Sequence, residues 1–131
     1  MTRHEAREQA FMVIFEKLFN SEETLSEIIE KAEECDLIKV NGFARSILNA
    51  VEEHSDEIDS LIEANSKDWS VSRLPRVSFA VLRLAVAEIK YGDEVPVGVA
   101  VNEAVEIAKK YGTVEDASFI NGLLGTVIKE A

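Results

Sequence analysis

Apolar residues recur at intervals of three and four along nearly the whole chain, the spacing of a helix face. Ala6, Ala10, Phe11, Ile14, Phe15 and Leu18 form the first stripe, and Thr2 with Glu5 three residues on predicts a capping box at its start. Ser21 or Thr24 opens a second helix with Leu25, Ile28, Ile29 and Ala32 inward. A third carries Phe43, Ile47, Ala50 and Val51, and Ser55 starts a fourth with Ile58, Leu61 and Ile62. Leu74-Pro75 punctuates the chain, because proline suits a helix start and disfavours helix just before it. Val77, Ala80, Val81, Leu84, Ala85, Glu88 and Ile89 then fall on one face. Gly92 and Pro96 bracket a loop, followed by the stripe Val97, Val101, Ala104, Val105, Ala108 and Tyr111. Gly112 is placed for a left-handed helix end, and Thr113 for the start of a last helix that buries Phe119, Ile120, Leu123, Leu124, Val127 and Ile128.

One stretch is ambiguous. Residues 95–101 alternate like a valine-rich strand, but Pro96 and Gly98 weaken a strand interior and the helical stripe continues to Tyr111. We read helix there. The pattern predicts an all-α chain of about seven helices, a single domain over residues 1–131, with no internal repeat.

Composition fits that reading. A chain of 131 residues buries roughly two thirds of its unfolded surface, so it needs no disulfide or metal to hold it. No uncharged apolar run approaches the ~18 residues of a membrane span, and Met1 leads into no secretory segment. Cys35 is the single cysteine, which excludes an internal disulfide and cysteine metal clusters. A cytoplasmic protein without membrane attachment is expected.

Charge argues against a simple electrostatic nucleic-acid binder: 14 basic residues face 25 acidic ones. The acidity is local, however. Residues 21–70 hold 14 acidic and 4 basic residues, whereas residues 1–20 balance and residues 71–131 hold 8 acidic against 7 basic. The two near-neutral ends can still carry a small anion-binding patch.

Catalytic signals are thin. The chain has no phosphate-cradling glycine loop, nucleophile elbow or zinc-binding helix motif. His4 and His54 read as ordinary polar residues, and Cys35, set among acidic neighbours, as a small, semi-buried and poor nucleophile. The acidic runs read as solvated helix faces, with Asn102 and Glu103 making local caps or helix-to-helix hydrogen bonds. Arg3 and Arg7, four apart, share a face of the first helix near Phe11 and Phe15, and Arg7 is expected to be exposed. Cations beside aromatic rings hold phosphates and stack unpaired bases; equally, Phe11, Phe15 and Phe119 can be core.

Three blocks carry a family resemblance. The first is Ala6-Arg7-Glu8-Gln9-Ala10 leading to Phe15; the second runs from Val77 to Glu88. The third is Val95-Pro96, then Val101 through Gly112, ending in Phe119-Ile120-Asn121-Gly122-Leu123-Leu124. Together they resemble the bacterial antitermination factor NusB family, while residues 20–70 match only by helical pattern. The resemblance implies two packed three-helix-like subdomains, about 1–70 and 71–131. It implies no catalytic activity and no cofactor. It also implies binding of boxA-type single-stranded RNA together with a small-subunit ribosomal protein, the NusE partner, within an RNA polymerase antitermination complex that supports ribosomal RNA transcription.

By position, the resemblance assigns Arg3, His4, Arg7, Phe15, Arg76, Ser118 and Phe119 to the RNA surface. The family commonly has more basic residues before the first helix, a tyrosine where Phe15 stands and a lysine where Ser118 stands. Fewer cations predict weak RNA binding by the chain alone and a shallow salt dependence, with a log-log slope of roughly −1.5 to −2. Two alternatives stay open: a protein-interaction module or homodimer that keeps this fold, and the RNA-binding domain of a ribosomal RNA cytosine methyltransferase, a reading that requires these 131 residues to be a piece of a longer protein.

Overall fold

The computed structural model describes residues 2–66, 71–92 and 95–130. Seven α-helices account for most of them: α1 (Arg3–Lys17), α2 (Leu25–Glu34), α3 (Gly42–Glu53), α4 (Ser55–Asn65), α5 (Arg76–Tyr91), α6 (Val97–Tyr111) and α7 (Val114–Glu130), with a 3₁₀ turn at Val71–Arg73 before α5. The all-helical expectation holds, including helix in the ambiguous stretch after Pro96. The expected subdomain boundary near residue 70 lies outside the described residues.

Helix starts follow local chemistry. Thr2 and Glu5 make the reciprocal capping box, each bond 3.1 Å. Thr24, not Ser21, repeats it with Glu27 ahead of α2. Asn41 Oδ1 accepts from the Ala44 amide at 2.9 Å, and Thr113 and Asp116 cap each other at the start of α7. Pro75 and Pro96 stand immediately before α5 and α6, with φ of −54° and −57°.

Two helix ends differ from expectation. Gly112 is not left-handed; its φ is −124°. Glycine is needed there for space: a Cβ would lie 2.6 Å from Asp116 Oδ2, 3.0 Å from the Ala108 carbonyl oxygen and 3.1 Å from Val77 Cγ1, where the α6–α7 corner meets α5. The left-handed end is instead at Asp36, φ 58°, after α2. There the Leu37 amide donates to Ala32 and the Asp36 amide to Glu33, the paired bonds of a Schellman end. That turn leaves Cys35 exposed rather than semi-buried.

The centre of the molecule is α5, which packs against α1, α3, α4, α6 and α7. Ala80, Val81, Leu82, Leu84, Ala85, Val86 and Ala87 are all at most 1% exposed, so this helix is buried around most of its circumference and leaves only a narrow polar strip at Arg76, Arg83 and Lys90. Its alanines let neighbouring helices approach closely. Truncating Leu84 to alanine in such a site costs about 2–5 kcal/mol.

Candidate nucleic-acid interface

The expected site residues fall into groups set by α1, whose Arg3 and Phe15 stand roughly 18 Å apart along the axis. At its N-terminal end, Arg7 departs from expectation: it is 3% exposed. Its Nε donates to Glu88 Oε1 and Oε2 at 2.9 and 3.1 Å, and Nη2 donates to Glu88 Oε2 at 2.6 Å. Glu103 Oε1 stands 3.8 Å from Nη1. Arg7 lies inward because it shares the buried side of α1 with Ala6, Ala10 and Ile14. A signal for this was present in the sequence, since Glu88 is the lone carboxylate of α5 and stands on its inward stripe, where it requires a buried partner.

Around this fork lies an outer layer. His4 Nδ1 is 2.5 Å from Glu103 Oε2, and Nε2 is 3.2 Å from Glu8 Oε1. The Glu103 hydrogen bond raises the imidazole pKa above its ordinary value, against the effect of desolvation and with further help from the charges of Glu103 and Glu8. Glu8 also accepts from Lys110 Nζ at 2.6 Å and Tyr111 Oη at 2.7 Å. Burial works to raise the Glu8 carboxyl, but these two bonds and the nearby cations hold it below the usual range. Glu103 thus makes the helix-to-helix bond expected of it. Arg3 lies on the surface with its guanidinium 4.8 Å from the Phe43 ring centre, and Arg7 approaches the same ring at 5.0 Å. Phe43 appeared in the sequence only as core and had no link to the arginines.

The other end of α1 is aromatic. Buried Phe11 stacks on Phe15 at 5.7 Å and touches Tyr111 at 5.0 Å, while Phe15 meets Phe19 edge-on at 5.1 Å. The Arg76 guanidinium lies 4.7 Å from the Phe19 ring centre. Phe19 is 53% exposed, and Arg76 has no carboxylate partner among the described residues. Sequence reading singled out Phe15 and Arg76 but missed Phe19, although its i+4 spacing from Phe15 marks the same face. Ser118 is exposed on α7, and Phe119 is half-buried against the core. Phe119 makes no ring contact with the first-helix aromatics among the described residues.

Part of the acidic surface serves the backbone. Glu52 accepts the Leu25 amide at 2.9 Å and Glu33 the Val40 amide at 3.2 Å, while Glu27, Glu30 and Glu34 of α2 are exposed. No helix among the described residues is long and apolar enough to cross a membrane.

Comparison with known proteins places this arrangement. The NusB family matches residues 4–129. The transcription antitermination protein NusB of Geobacillus kaustophilus is 39% identical over 130 residues, covering 97% of this chain and 95% of that protein. The T. maritima NusB structure superposes with a TM-score of 0.89 at 32% identity, covering 99% of this chain and 92% of its own. A NusB solved in complex with NusE and double-stranded RNA superposes with a TM-score of 0.85 at 29% identity, with full coverage of both chains.

Proposed function

The chain belongs to the NusB family of transcription antitermination proteins, and from that premise we propose that it binds a boxA-type single-stranded RNA jointly with a small-subunit ribosomal protein, the NusE partner. The full-length match to the family carries the reading, and the relative solved with NusE and double-stranded RNA supports the NusE partner and an RNA partner in general. On this reading the complex joins RNA polymerase, favours ribosomal RNA transcription and performs no catalysis.

The proposed RNA contacts divide by role. Arg3 and His4 face the RNA at the N-terminal end of α1, whereas Arg7 acts from beneath: its fork to Glu88 fixes α1 against α5, and its guanidinium backs Phe43. Arg76, laid on Phe19 beside Phe15, offers a cation and a ring to one base, and Ser118 and Phe119 complete the surface from α7. Few cations are uncommitted, because Arg7 is buried and His4 and Lys110 are held by Glu8 and Glu103. That shortage favours the second reading, a NusB-fold interaction module or homodimer with weakened RNA binding.

Fluorescence anisotropy with boxA and scrambled RNA, with and without the ribosomal partner at ~0.1 M salt, separates the two. Selective binding that tightens with the partner supports antitermination, with a salt slope no steeper than roughly −2. Partner binding without RNA binding supports the interaction module. In the same titration, a Phe19→Ala change that lowers only partner affinity assigns the Phe15–Phe19–Arg76 end to the protein partner.

A further inference from the structure

Two adjoining cavities, about 300 and 530 Å³, run along the exposed side of α3. They share Gly42, Ser46 and Tyr91; Arg3, Phe43 and Glu88 border the first, and Arg45, Asn49 and His54 the second. The groove therefore starts at the proposed RNA contact Arg3 and follows α3 for roughly 16 Å, from Gly42 to Glu53. We propose that it is a subsite for nucleotides flanking the boxA element, an inference that rests on the RNA-binding reading and extends it to a surface outside the expected site.

The lining has the parts a single strand requires. Tyr91, 38% exposed, stacks on His54 with ring centres 3.8 Å apart and planes 5° from parallel. Tyr91 borders both cavities and His54 only the second, so a base entering from the Arg3 end can extend this preformed stack. Ser46 and Asn49 supply a hydroxyl and an amide for base edges, and neither is committed to a partner among the described residues. Arg45 pairs with Glu33 at 3.6 Å with both side chains well exposed, a contact weak enough to yield to a phosphate. Glu88 at the first cavity is neutralised by Arg7, while exposed Glu53 lines the far end of the second, repels phosphate and so marks the limit of the subsite beyond Arg45.

The test compares boxA RNA with the same RNA lengthened one nucleotide at a time at either end, by anisotropy on the full chain with the ribosomal partner present. Extension at one end is expected to tighten binding about five-fold or more, the range of one base stack. Tyr91→Ala is expected to abolish that gain and leave the affinity for the short RNA unchanged, while Tyr91→Phe keeps it. Arg45→Ala is expected to reduce the salt slope for the longer RNA only, by about 0.7. Extension without effect, or equal loss for short and long RNA in Tyr91→Ala, overturns the subsite while the RNA-binding reading stands. Failure of the short RNA to bind at all overturns both.

Discussion

The molecule contains two arginine–carboxylate forks that are nearly the same in chemistry and opposite in setting. Arg7 grips Glu88 between α1 and α5 with both side chains 3% exposed. Arg83 grips Asp59 between α5 and α4 at 3.0 and 2.8 Å, with side chains 16% and 26% exposed. Each guanidinium also lies against a ring: Phe43 at 5.0 Å in the first case, Phe79 at 4.2 Å in the second. Water is the difference. At the rim either partner can be rehydrated when the other leaves, whereas inside water cannot replace the lost partner, and Arg7 would keep only the longer contact to Glu103. On the proposed RNA-binding reading, a family-matched arginine serves the surface without touching the RNA, by fixing α1 against α5.

Reversing the buried fork gives the largest expected effect. Arg7→Glu sets two carboxylates face to face in the interior, and thermal or urea unfolding is expected to show a loss of at least about 3–5 kcal/mol. Loss of RNA binding with stability retained would instead return Arg7 to a direct phosphate contact. The double change Arg7→Met with Glu88→Leu removes both charges and fills the space; most of the lost stability should return, leaving a deficit within about 1–2 kcal/mol. Arg83→Ala, at the rim, is expected to cost about 1 kcal/mol, and less at high salt.

The smallest effect concerns the outer layer of the buried fork. The raised native pKa of His4 means that its protonated form is favoured by folding. Its contribution is complete below the ordinary value of 6.5 and is lost as pH rises through the native pKa. An NMR titration should place the His4 midpoint above 6.5, and His4→Gln should flatten the stability profile over that window. A midpoint at or below 6.5 would detach His4 from Glu103.

What could be read from the sequence was what neighbours along the chain decide. Thr2 with Glu5 acts across three residues, so its cap was legible, as were the stripes that turn Ile14, Ile47 and Ile62 inward; the start of α2 stayed open between Ser21 and Thr24, which Glu27, unread in the sequence, decides. Arg7 was misjudged because its partner lies 81 residues away, and its charge outweighed its place on the inner face of α1. Gly112 was assigned the wrong reason: its crowding comes from Asp116 and the Ala108 carbonyl, each four residues away, and from Val77 of α5, of which only the last lies beyond local pattern. At the candidate site, Phe15 and Arg76 were visible singly. The contact that joins them runs through Phe19, and it exists only once the end of α1 meets the start of α5.

The central position of α5 also orders events during synthesis. A ribosome makes α1 to α4 before the helix that they pack against, and Arg7 is translated 81 residues ahead of Glu88. At roughly 5–20 residues per second, that is a wait of roughly 4–16 s. Throughout it, the nascent bundle lacks its keel. Residues 21–70, with 14 acidic against 4 basic side chains, are made in that interval, so the half-built chain is strongly negative until α5 emerges.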